Sequence, residues 1–74
     1  GLLGMCYLEG ETIYMTDIPN EYIHITSGLG DASPRCLILV PLKANEKVIG
    51  VIEIASFQPL EKHKVHFIEE LAEN

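Results

Sequence analysis

The chain has 74 residues, 11 acidic against 5 basic, for a formal net charge of −6, so it holds one domain at most and no basic cluster able to neutralise a phosphate backbone. Hydrophobic residues make up 47% of it, enough for one small core, yet no apolar run approaches the roughly 20 residues that span a bilayer and no charged region precedes the first leucines. Composition therefore points away from nucleic acid and from direct membrane contact as partners.

In chain order, Leu2, Leu3, Met5 and Cys6 fit one side of a short helix over 2–9, and Gly10 stands where a left-handed residue would stop it. A strand over 12–16 follows, with Ile13 and Met15 on one face and the hydroxyls of Thr12, Tyr14 and Thr16 on the other. Asp17 and Pro19 end it, because a proline holds the residue before it out of helical conformation. Asn20 then caps a short helix across 21–26, within a helix and loop region over 20–35 that turns Tyr22 and Ile25 inward. Gly28 and Gly30 make a G-x-G, but Ser33 stands at the third glycine position and no apolar strand immediately precedes the pair, so a dinucleotide fingerprint is rejected. Either these glycines only shape a turn, or the loop covers a small-molecule pocket on the sheet.

The region 36–55 reads as an antiparallel hairpin, two runs of branched aliphatics around a polar break. With Asn45 and Glu46 at its tip, Lys43 faces Val48 and Pro41 faces Gly50, so proline marks an edge or a bulge. Along the second strand Val48, Gly50, Ile52 and Ile54 share one face, leaving Ile49, Val51, Glu53 and Ala55 on the other. Glu53 is expected to face solvent at a sheet edge; buried, it would need a partner. A helix over 60–74 closes the chain, with Val65, Ile68 and Leu71 or Ala72 in one stripe and Phe67 and Leu71 in the next. So wide an apolar band serves either one sheet or a sheet and a partner helix.

Catalytic arrangements are thin. Cys6 and Cys36 form no C-x-x-C pair and have no histidine beside them, which reads as two reduced, buried thiols. His63 and His66 are spaced for a shared metal but lack a third ligand nearby, and His24 reads as a surface or interface residue. Ser27 and Ser33 have neither a nucleophile elbow nor an identifiable base. Of the carboxylates only Asp17 and Glu53 sit where paired acids could act, and Asp17 fits a turn-capping role better than ligand contact. No metal, cofactor or catalytic residue is therefore expected.

Val40-Pro41-Leu42, a short polar turn, then Ile49-Gly50-Val51-Ile52-Glu53-Ile54 resembles the C-terminal hairpin of GAF domains. Upstream, the run from Gly1-Leu2-Leu3-Gly4 through Glu9-Gly10-Glu11-Thr12-Ile13-Tyr14-Met15-Thr16-Asp17 is similar to that family's helix, turn, strand and aspartate; downstream, Phe57-Gln58-Pro59-Leu60-Glu61 leading to Val65, Phe67, Ile68 and Leu71 looks like its closing helix. The resemblance implies an α+β, profilin-like antiparallel sheet with helices, here truncated at the N-terminus to a partial domain. It implies a non-catalytic sensory or regulatory domain of a cytoplasmic bacterial signalling protein, such as a two-component sensor histidine kinase, whose parent is anchored in a membrane elsewhere or not at all. An unidentified small molecule would bind under the loop, with Tyr22, Thr26, Ser27 and Glu53 as ligand-facing groups, and the closing helix would pass the signal to an output domain. The unpaired sheet edges and the second helical stripe point to a homodimer. Two alternatives accompany this reading: a structural dimerisation module without ligand, and a thiol enzyme of the methionine sulfoxide reductase type, whose cysteine arrangement is not reproduced here.

Overall fold

Leu2–Glu9 forms helix α1, which ends because Gly10 adopts φ 68° and ψ 26° and returns its N–H to the Cys6 carbonyl at 2.9 Å. These contacts come from a computed structural model that describes residues 1–18 and 34–73. A side chain at Gly10 would meet only ordinary contact, with Val48 Cγ2 at 3.5 Å, so the backbone alone sets the cost of replacing it. Gly10→Ala is expected to destabilise by about 1 kcal/mol, a fall of several degrees in the melting temperature of so small a domain. An unchanged melting curve would show that α1 does not need this cap.

Three strands follow, β1 (Ile13–Met15), β2 (Cys36–Ala44) and β3 (Lys47–Ser56), and helix α2 (Lys62–Ala72) closes the described chain. They form an antiparallel sheet in the order β1-β2-β3, with Met15 opposite Leu37, Ile13 opposite Leu39 and Leu37 opposite Ala55. At the hairpin tip Asn45 and Glu46 have φ of 53° and 67°, the positive pair that lets a two-residue turn follow the twist of its strands. Lys43 does face Val48, but Leu42 pairs with Gly50 and Pro41 with Val51. The expected pairing of Pro41 with Gly50 is thus corrected by a bulge, in which Ile49 is the extra residue and stands 67% exposed. Pro41 costs the sheet little, because β1 reaches only Leu37 to Leu39.

The branched aliphatics of β2 explain the architecture. Cys36, Leu37, Ile38 and Leu39 have no exposed surface and Val40 has 1%, so both faces of the strand are covered. On one face Leu37 and Leu39 pack with Cys6 of α1 and with Leu2, Ile13, Met15, Val51 and Ala55. On the other, Ile38 and Val40 pack with Ala72, Val65 and Ile68 of α2 and with Leu60. The result is α+β, with the sheet between two helices. Polar contacts fasten the β1 segment to α2 and the residues leading into it: the hydroxyl of Thr12, just before β1, donates to the Glu69 carboxylate, and the Tyr14 hydroxyl to the carbonyl of Leu60, just before α2, at 3.4 Å. Of the two adjacent stripes on α2, Val65, Ile68 and Ala72 turn inward, whereas Phe67 and Leu71 stay 61% and 69% exposed. Among the described residues no helix is long and apolar enough to cross a membrane.

Candidate functional site

Alternation along β3 decides where its one acid lies. Val51 and Ala55 pack on the α1 face, and period-two geometry puts Glu53 between them on that face, directly opposite Leu39. The expected solvent-facing position is therefore corrected. Glu53 is partly buried, and its Oε2 is fully enclosed with no hydrogen-bond partner among the described residues. Burial pushes the carboxyl above the usual glutamate range, since a low-dielectric setting disfavours the charged form. The histidine–carboxylate contacts among the described residues, ionic only when the imidazole is protonated, set His63 4.0 Å from Glu61 and His66 3.8 Å from Glu69, and neither involves Glu53.

Tyr22, Thr26 and Ser27, the other three expected ligand-facing groups, lie outside the described residues, as do His24, Ser33 and the helix over 21–26. Asp17 is exposed in the bend after β1. The turn it is expected to cap continues into residues outside the described ones.

Grooves open elsewhere among the described residues. One of about 260 Å³ runs between Thr12, Pro41 and Lys43 on the sheet side and Glu69, Glu70 and Glu73 on the helix side. Another of about 600 Å³ is lined by Ile54, Leu60, Phe67 and Ile68, with Lys64 and His63 beside them. Glu53 lines neither. Despite the acids around the first groove, the described residues contain no group of three or more His, Cys, Asp or Glu placed to hold a metal ion.

The cysteines sit on opposite sides of the sheet. Cys6 packs with Leu37 and Leu39, while Cys36, two residues before Ile38 in the same strand, shares the α2 face and donates its thiol to the Gln58 carbonyl at 3.5 Å. Both are free and buried, and burial pushes the Cys6 thiol up. A nucleophilic thiolate needs the reverse setting, electropositive and partly exposed.

The tie from Thr12 to Glu69 and the enclosure of Glu53 are the two polar features that the sequence pattern does not reveal. For Glu53 a signal is present: it shares its parity with Val51 and Ala55, and a second helix near the N-terminus gives that face a cover. Thr12 and Glu69 lie 57 positions apart, and no periodicity connects them.

Compared with models of known families, the chain matches the GAF domain over residues 1–74. It matches no curated protein and no solved structure.

Proposed function

Because the chain belongs to the GAF domain family, a family of regulatory and sensory domains, we propose that it is a non-catalytic sensor that receives a small molecule on the α1 face of its sheet. Glu53 carries this reading: a carboxylate oxygen enclosed without a donor costs about 1–3 kcal/mol, and a polar ligand on that face would relieve it. Tyr22, Thr26 and Ser27, in the segment between β1 and β2, complete the proposed set of ligand-facing groups. Binding shifts the balance between two arrangements of this face, and α2, packed on the opposite face of β2, carries the shift to an output domain. The parent in this reading is a cytoplasmic bacterial signalling protein of the two-component type, working as a homodimer.

A thermal-shift screen of metabolites against the chain tests it. A ligand at a hundredfold excess over its Kd stabilises by about 2.7 kcal/mol, roughly ten degrees or more for a domain of this size. At least one metabolite should produce such a shift and lose it when Tyr22→Phe and Ser27→Ala are combined with Glu53→Gln. A screen without a hit, or a hit indifferent to those changes, overturns the reading.

The exposure of Phe67 and Leu71 supports a second reading, a dimerisation module without ligand. Phe67→Ser with Leu71→Ser, both at surface positions, then converts a dimer to a monomer by light scattering while no metabolite shifts the parent chain.

A further inference from the structure

The charge order of α2 opposes its own backbone. The first turn carries Lys62, His63 and Lys64 with no acid, and the last carries Glu69 and Glu70 with no base and Glu73 just beyond. A helix dipole is positive at its N-terminus and negative at its C-terminus, so like charge meets like at both ends. Lys62, Lys64, Glu70 and Glu73 are exposed and have no side-chain partner of opposite charge among the described residues.

Shape follows the same order. The groove of about 600 Å³ lies along the N-terminal half of the helix, where Leu60, Lys64 and Ile68 face Ile54 of β3. Leu71, 69% exposed, stands one turn beyond Phe67, itself 61% exposed. The hollow thus precedes Phe67 and the projecting side chain follows it. A second helix laid antiparallel, with Phe67 at the two-fold axis, brings its Leu71 over this groove and its Glu70 and Glu73 beside Lys62 and His63. A parallel one sets groove against groove, lysine against lysine and glutamate against glutamate.

We infer that the exposed face of α2 receives a second copy of this chain, running antiparallel, with Leu71 of each copy seated in the groove beside Ile54 and Leu60 of the other. The inference rests on the dimerisation reading above and deepens it, by fixing the face, the direction and the register. In a chain of net charge −6, two of whose five basic residues are Lys62 and Lys64, a copy meets opposite charge best at this turn. The contact is isologous and closes at two copies. Each positive N-terminus then lies beside the other copy's acids, which answers the misplaced charge at both ends at once. With α2 only about 16 Å long, the interface is small and dissociates reversibly.

Sedimentation of the chain from about 10 µM to about 1 mM should show a monomer–dimer equilibrium. Lys62→Glu with Lys64→Glu, and separately Glu70→Lys with Glu73→Lys, should each weaken it at least about tenfold. The first pair adds to the net negative charge and the second reduces it, so repulsion between whole chains would move the two in opposite directions. Each pair also aligns one helix end with the dipole, so the melting temperature of the dilute monomer should hold or rise while association falls. All four changes together restore opposite charge across an antiparallel pair and should return the Kd to within about threefold of the parent.

A dimer that Phe67→Ser with Leu71→Ser abolishes, but that neither charge pair weakens or the fourfold variant fails to restore, overturns the antiparallel register and leaves the dimerisation reading standing. A parent that stays monomeric throughout overturns both. So does a dimer indifferent to the changes at Phe67 and Leu71, because its interface then lies elsewhere.

Discussion

Replacing Leu37 with alanine is expected to remove about 3 kcal/mol of stability, the middle of the range for a fully buried leucine. Leu37 has no exposed surface, lies between Met15 and Ala55 in the sheet, and packs against Cys6 of α1. Truncation there removes contacts to three elements at once and leaves a cavity that strands on both sides cannot close without breaking register. Proteins hold about 0.05–0.15 kcal/mol per residue, so a chain this short has roughly 4–11 kcal/mol in all. One substitution thus takes about a quarter or more of the reserve. In a urea titration the midpoint should fall sharply with the slope unchanged, whereas Leu8→Ala, at a position 84% exposed, should stay within about 0.5 kcal/mol of the parent. A midpoint that moves equally little for both would show that the core does not lie where β2 crosses α1.

The reason β2 carries so much is visible in the sequence, and so is the reason for its neighbours. An aliphatic run too continuous to alternate, from Leu37 to Val40, belongs to a strand covered on both faces. The helix-stopping role of Gly10 and the turn at Asn45 and Glu46 were equally legible, because each depends on the conformational preferences of one or two residues. So were the two adjacent stripes of α2, but helical geometry left open whether Leu71 or Ala72 completes the first, and the structure chooses Ala72.

Beyond the bulge, legibility fails for a physical reason. Val48 and Ile49 are both branched aliphatics, so hydrophobic alternation cannot say which of them the sheet leaves unpaired. Choosing neither pairs Pro41 with Gly50, while the structure ejects Ile49 and pairs Pro41 with Val51. The same slip carries Val48 onto the face that α1 and Gly10 cover, away from Gly50, Ile52 and Ile54. Glu53 illustrates the other limit. Its parity with Val51 and Ala55 was plain, but whether that face meets water depends on a helix more than forty positions away. Tyr22, Thr26 and Ser27 never rested on pattern at all; they came from family resemblance, and local chemistry adds nothing that singles them out.

Glu53→Leu is expected to stabilise the chain at neutral pH by about 1–2 kcal/mol, with the charge-linked part of that gain disappearing in acid. Burial raises the folded carboxyl above its ordinary value, which is about 4.3 in an unfolded chain. Over the interval between those two values the folded state holds a proton that the unfolded state has released. The favourable contribution of protonated Glu53 is therefore complete below the unfolded value and is lost as pH rises through the folded one. As pH rises through the folded value the enclosed carboxyl is left charged with no partner among the described residues, and leucine, which fills the same space without a charge, avoids that cost. Melting curves of parent and variant compared from about pH 4 to pH 7 isolate the effect, because the repulsion within a chain of net charge −6 titrates almost alike in both and largely cancels in the difference. Glu53→Gln should recover only the charge-linked part, since its amide still lacks partners on an apolar face. A parent-to-variant difference that stays flat over this range would place the carboxylate in water, and one that grows toward acid would show that its charged form has a favourable partner. If the difference opens with rising pH, Glu53 weakens the fold toward neutral pH.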